Sequence, residues 1–261
     1  MGKIIKQIVT VSGLFLFMLS SQAFGLKPEK KLYQLKVYHL KNDSQVSRVD
    51  LYLKEAYLPA LHKAGISKVG VFKPIANDTA SVKIIYVLIP FSSFDQFNSL
   101  AAKLEKDEAY RTAGQDYLNA PYDNAPYLRI ESILMESFAP EFPIPVLQSP
   151  VTEKIYELRS YEGPTEKLYN NKVEMFVKGG EITLFKRMGF NAIFYSRVIS
   201  GSHMPNLMYM TSFENMAARE AHWKSFSNDA QWKQLSGMPE YQHNVSHSDI
   251  ILMHATEYSD I

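Results

Sequence analysis

The chain of 261 residues contains no cysteine. That absence excludes disulfides, thiolate metal ligands, a cysteine nucleophile and a lipid anchor on a cysteine. It leaves the compartment open, because a chain without thiols needs no oxidative folding. An excess of charge of one sign is also lacking: 28 Lys and Arg stand against 27 Asp and Glu, for a formal charge of +1. A nucleic-acid binder works through a strong positive field, so no nucleic-acid partner is expected. Glycine-built motifs are missing too. There is no phosphate loop, no Gly-x-Ser-x-Gly elbow, no kinase set and no dinucleotide fingerprint. Lys178-Gly179-Gly180-Glu181 lacks the Lys-Ser/Thr that follows in a P-loop and reads instead as a break between two helical pieces.

Long apolar runs are confined to the N-terminus. Lys3 and Lys6 precede the apolar stretch Ile8 to Leu19, and small residues follow at Ser21, Ala23 and Gly25. This is the pattern of a signal peptide over residues 1–25, cut after Gly25 or Ala23, and the apolar part falls short of the roughly 20 residues of a spanning helix. The expectation is an exported protein, periplasmic or extracellular, with no membrane span after cleavage. Nothing in the sequence chooses between monomer and homo-oligomer.

What the chain does have is a module written twice. Lys31-Leu32-Tyr33-Gln34-Leu35-Lys36-Val37-Tyr38 returns as Lys154-Ile155-Tyr156-Glu157-Leu158-Arg159-Ser160-Tyr161. At nearly the same offset, Asp107-Glu108-Ala109-Tyr110-Arg111 returns as Asp229-Ala230-Gln231-Trp232-Lys233, and Pro90-Phe91 as Ser212-Phe213. Three matches in one order mark an internal duplication.

Periodicity parses both copies alike. The first gives a strand at 32–40, a helix at 44–63, strands at 68–75 and 82–90, helical pieces at 93–104 and 106–117, and a strand at 127–138. The second gives a strand at 153–161, a helix at 165–188, strands at 190–200 and 206–213, helices at 214–226 and 228–235, and a strand at 247–258. The order β-α-β-β-α-β is that of a ferredoxin-like unit, an α+β fold with both helices on one sheet face. The expected organisation is a first ferredoxin-like domain at 26–138, a proline-rich linker at 139–152 and a second domain at 153–261. Each sheet needs a cover for its second face, so the two are expected to pack face to face around an enclosed space.

Tyr156-Glu157-Leu158-Arg159-Ser160-Tyr161, with Ser212-Phe213-Glu214, Arg219-Glu220 and Asp229-Ala230-Gln231-Trp232, resembles the NIPSNAP family over about residues 153–258. The first copy has Tyr110 where the pattern has Trp and lacks an arginine aligned with Arg219, so it looks like a degenerate copy. The resemblance implies the dimeric α/β-barrel superfamily, here as an intramolecular pseudo-dimeric barrel. It implies no settled reaction. Relatives in the superfamily include monooxygenases and haem proteins, and such activities do not transfer on fold alone.

The candidate site residues follow from spacing. Glu157, Arg159 and Tyr161 share one strand face, as do Gln34, Lys36 and Tyr38. If those faces look into the space between the sheets, Arg159 and Lys36 orient the oxygens of a flat or carbonyl-bearing ligand while Tyr161, Tyr38 or His254 handles a proton. Otherwise they pair with neighbours at an edge. His254, on the last strand, is expected to reach the same space and meet Arg159. His243 and His247 have a four-residue spacing but sit near a strand start, so no metal site is expected. His222 lies on a helix between Arg219 and Trp223, and the haem-binding relatives give it an axial role as a remote possibility. No cofactor is expected otherwise. Two function classes stand: a small-molecule binder, possibly an enzyme, with its site between the sheets, and a non-catalytic interaction or assembly module with a filled barrel.

Overall fold

The computed structural model describes residues 31–138 and 146–261. The segment expected to be a signal peptide and residues 139–145 of the expected linker lie outside the described residues. Among those described, no helix is long and apolar enough to cross a membrane.

The first module begins with β1 (Leu32–Leu40), then α1 (Asp43–Tyr52), a π-helical turn (Leu53–Tyr57) and α2 (Leu58–Lys63). Strands β2 (Gly70–Pro74) and β3 (Lys83–Phe91) follow, then α3 (Phe94–Lys106), α4 (Glu108–Ala113), α5 (Gln115–Leu118) and β4 (Arg129–Ser137). The second module repeats the order with β5 (Ile155–Glu162), α6 (Glu166–Val177), α7 (Glu181–Arg187), β6 (Asn191–Ser200) and β7 (Asn206–Phe213). It ends with α8 (Met216–Asn228), α9 (Ala230–Ser236) and β8 (His247–Ala255). The expected elements are all present, with ends shifted by a few residues. Both long helices, 44–63 and 165–188, are divided, the second at the break expected from the sequence. The 44–63 helix contains the π-helical turn, in which Leu58 N–H reaches back five residues to Leu53 O. The 165–188 helix breaks at Gly179-Gly180, where Gly180 takes φ +88, a left-handed conformation open to glycine.

Local chemistry fixes the helix starts in matching places. Ser93 Oγ accepts from Gln96 N at the head of α3, and Asn215 Oδ1 accepts from Ala218 N at the head of α8. Asp107 and Asp229 cap α4 and α9 in the same way.

The strands close into one antiparallel barrel in the order β1-β3-β2-β8-β5-β7-β6-β4. Within each module the order is the ferredoxin-like one, and the repeat is kept to the residue: Leu32 opposes Phe91 as Ile155 opposes Phe213. Two seams join the modules. β2 pairs with β8, setting Phe72 against Ala255, and β4 pairs with β6, setting Ser137 against Ser196.

Closure creates three cores. One lies between the first module's helices and its strands, around Tyr38, Leu53, Leu61, Val87 and Phe91. The second module has its counterpart around Phe176, Phe185, Tyr209, Phe213 and Phe226. The third fills the barrel itself, where Leu35, Phe72, Met135, Leu158, Phe194 and Met210 interdigitate from both modules. The face-to-face packing is therefore as expected, but the space between the sheets is largely occupied by side chains rather than open.

Candidate functional site

Alternation along β1 and β5 decides where the predicted residues point. Tyr33, Leu35 and Val37 belong to the barrel core, as do Tyr156 and Leu158. Their neighbours in sequence must face the helices. The rows Gln34, Lys36, Tyr38 and Glu157, Arg159, Tyr161 thus lie under the helical layers, outside the barrel. This corrects the placement between the sheets. The reason is that both faces of β1 and β5 are covered here, so neither face is marked by water.

In the second module the row is the centre of a closed polar network. Glu157, fully buried, accepts from Arg159 Nε at 2.5 Å, Arg219 Nε at 2.7 Å and Trp223 Nε1 at 2.8 Å. The Arg159 guanidinium lies 3.6 Å from the centre of the Trp223 ring and donates from Nη1 to Tyr161 Oη at 2.9 Å. Tyr161 Oη in turn meets Tyr209 Oη at 3.1 Å. Burial works against the Arg159 charge, yet Tyr209, Tyr161 and Glu157 raise its pKa above the ordinary value. Beside the network, buried Lys172 and Glu181 pair at 3.0 Å. Burial raises the Glu181 pKa against the pull of Lys172 and Arg159. Every charge here has its answer inside the protein.

In the first module, Lys36 and Tyr38 stand among tyrosines. Lys36 Nζ is 4.8 Å from the centre of the Tyr57 ring and 5.4 Å from that of Tyr38. Tyr52 stacks on Tyr117 at 3.7 Å, and its hydroxyl meets that of Tyr110 at 2.8 Å.

The histidines are placed differently from expectation. His254 points away from the barrel core formed by its neighbour Met253, and its Nδ1 bonds Lys154 O at 2.8 Å. It opposes the start of β5, whereas Arg159 opposes Ile250, so the two do not meet. His222, half-buried on α8, packs against Phe190 and Phe213, with Nδ1 on Ala218 O at 2.7 Å. Its Nε2 lies against Gly189, where even an added methyl would stand 3.6 Å away. Trp232 packs at 4.5 Å on Phe226 beside the Asp229 cap, as a structural anchor.

The groups that the sequence reading missed gather at one mouth of the barrel. A cavity of about 160 Å³ has an apolar floor that includes Leu35, Val37, Ile133, Leu158, Met208 and Ile251. Its polar wall includes His39, Tyr86, Glu131, Ser160, Glu162, His203, Asn206 and Asp249, so both modules contribute. Three histidine–carboxylate pairs ring it: His39–Glu131 at 2.6 Å, His203–Glu162 at 3.1 Å and His247–Asp249 at 3.2 Å. Glu162, His247 and Asp249 each bring one ligand atom within 4.8 Å of the others, so His247 converges with carboxylates rather than with His243. Burial, then Glu131 and Asp249, push the Tyr86 pKa up to about 12. Asn206 is buried, donates from Nδ2 to Ser160 Oγ at 2.8 Å, and leaves its Oδ1 without a partner.

A larger hollow of about 220 Å³ opens at the other end beside Tyr33, Leu88 and Ile193, with no histidine, aspartate or glutamate side chain in its wall. One signal pointed to the polar mouth. His39 ends the apolar row Tyr33, Leu35, Val37, and Ser160 and Glu162 end the row Tyr156, Leu158.

Comparison with known proteins agrees with this architecture. No curated protein matches the chain. Among solved structures, a Lactobacillus acidophilus protein described as a candidate monooxygenase aligns with TM-score 0.55 at 10% identity, covering 87% of this chain and 94% of that one. A Fusobacterium nucleatum protein with the same description gives 0.54 at 8% identity, covering 88% and 94%. An anthrone oxidase-like protein gives 0.53 at 10%, covering 88% and 92%. At such identities the likeness is one of fold, and its extent takes in both modules of the fused α/β barrel. The family model for NIPSNAP matches residues 156–260, almost the whole second module. The second module is therefore a NIPSNAP-family domain.

Proposed function

We propose that the protein binds a small molecule between its two sheets, at the polar mouth of the barrel. The observation that carries this reading is Asn206. A buried amide oxygen with no partner costs free energy unless something donates to it, and Asn206 is one of the residues that line the cavity. The surrounding groups define the ligand. The apolar floor favours a small flat or aliphatic body, and the carboxylates Glu131, Glu162 and Asp249 favour a neutral or cationic molecule with N–H or O–H donors. The three histidines beside those carboxylates would exchange protons with a bound group, so binding with a subsequent transformation fits the same site.

The test is a fragment screen by thermal shift on the full chain. Small amines, amides and alcohols are expected to raise the midpoint, and Asn206→Leu and Val37→Phe are expected to abolish the shift without unfolding the protein. Fragments that bind equally well to both variants would remove the mouth from consideration. A complete lack of fragment binding would favour the alternative, an assembly module whose barrel is only a scaffold.

A further inference from the structure

Lys36 and Arg159 occupy the same register position in the two modules, opposite Val87 and Tyr209. What surrounds them differs. Where Arg159 has Glu157, Lys36 has Gln34, whose Nε2 turns to Ser132 Oγ at 2.7 Å. With α3 and α8 aligned on their caps Ser93 and Asn215, Phe97 and Ala101 take the places of Arg219 and Trp223. Among the described residues Lys36 has neither a hydrogen bond nor an ion pair, and its amine meets only the faces of Tyr57 and Tyr38. The π-helical turn ends at Tyr57, and such turns recur at functional sites. Lys36, Tyr117 and Tyr127 are each half-buried, so the cluster is reached from solvent.

An ammonium in such surroundings has lost much of its hydration without gaining an anion. Ring faces return only part of that loss. Burial accordingly lowers the Lys36 pKa from 10.5 to about 8. The groups at its amine are phenols, Tyr38 on β1 and Tyr57 on the π-helical turn, and behind them pack Tyr52 on α1, Tyr110 on α4 and Tyr117 on α5. Burial raises the pKa of each, so they stay neutral around pH 8 and add no charge of their own. Neutral amine near physiological pH is what a lysine nucleophile requires.

We propose that Lys36 is a covalent binding site for a small aromatic aldehyde or ketone, held as an imine among the tyrosines of the first module. The neutral Nζ attacks the carbonyl carbon and forms the C–N bond. The C–O bond then breaks, the oxygen leaves as water with both amine protons, and C=N remains. Neither oxidation nor reduction is involved. The site is separate from the barrel mouth, since Leu35 and Val37 face the cavity and Lys36 faces the helices.

The experiment treats the full chain with benzaldehyde and sodium cyanoborohydride, which reduces any imine to a stable secondary amine, and follows each lysine by peptide mass spectrometry. Lys36 is expected to label roughly tenfold faster than the exposed Lys68 and Lys103 at pH 8, with its rate half-maximal near that pH. Gln34→Glu, which supplies the carboxylate that Arg159 enjoys, is expected to slow Lys36 by roughly tenfold while leaving Lys68 and Lys103 unchanged. Labelling of Lys36 no faster than Lys103, or a rate still climbing at pH 10, overturns the proposal. Should the variant fail to fold, the wild-type ratio and pH profile decide alone.

Discussion

In the second module one buried carboxylate serves two arginines and a tryptophan N–H, while in the first an ammonium at the register position of Arg159 stands with only rings around it. The backbone has been copied faithfully and the charge has not. Duplication held the strand pairing because a one-residue slip would turn every side chain to the wrong core. It left the helix-facing rows free to diverge, since each is enclosed within its own module. One chamber became self-sufficient and the other kept an unanswered cation.

The comparison is most sharply broken at Glu157. Glu157→Gln leaves Arg159 and Arg219 without their shared anion, and is expected to cost about 3–5 kcal/mol of unfolding free energy. Urea unfolding followed by Trp223 fluorescence would show the midpoint falling with little change in slope. The register partner Gln34→Ala, which loses one half-exposed hydrogen bond, is expected to cost about 1 kcal/mol or less. Equal losses in the two would mean that the network is no more than packing.

Lys36→Met is next in size and opposite in sign. Below pH 8 the lysine is charged both folded and unfolded, and only the folded state bears the desolvation. Between about pH 8 and 10.5 the folded protein gives up this proton first, so the unfolded state binds more protons and stability rises with pH. Lys36→Met is therefore expected to stabilise by roughly 1–2 kcal/mol at pH 7, allowing for partial exposure, with the gain fading above pH 10. A destabilised variant, or a gain independent of pH, would show that the amine is satisfied in a way the ring contacts do not convey.

The smallest effects should be the same in both halves. Ser93→Ala and Asn215→Ala remove matching N-caps and are each expected to cost about 1 kcal/mol, additively because the two helices belong to separate cores. A large difference between them would mean that the modules do not share their local energetics as they share their register.

Much of the architecture was legible in the sequence for physical reasons. The duplicated Tyr-x-Leu rows, the β-branched run of β3 and the Gly179-Gly180 break all carry their periodicity or conformational signal locally. The π-helical turn carried none, because Leu53–Tyr57 has the composition of an ordinary amphipathic helix. The direction of the Arg159 and Lys36 rows was illegible for a related reason. Helices outside and a second sheet inside bury both faces of β1 and β5, so alternation reveals two rows without saying which is inner. The mouth cavity draws its walls from both modules, and only the polar row-ends at His39 and Ser160 hint at it from one strand alone.

The two seams also govern how the chain comes off the ribosome. β2 has no partner on its outer side until β8, the last strand made, arrives to set Ala255 against Phe72. Throughout synthesis of the second half, the first therefore presents an unpaired strand edge, a surface that invites another chain. Pro74 ends β2 and lacks an amide hydrogen, which shortens the ladder that edge can offer to a stranger. A protein joined in this way matures all at once, when its final strand closes the ring.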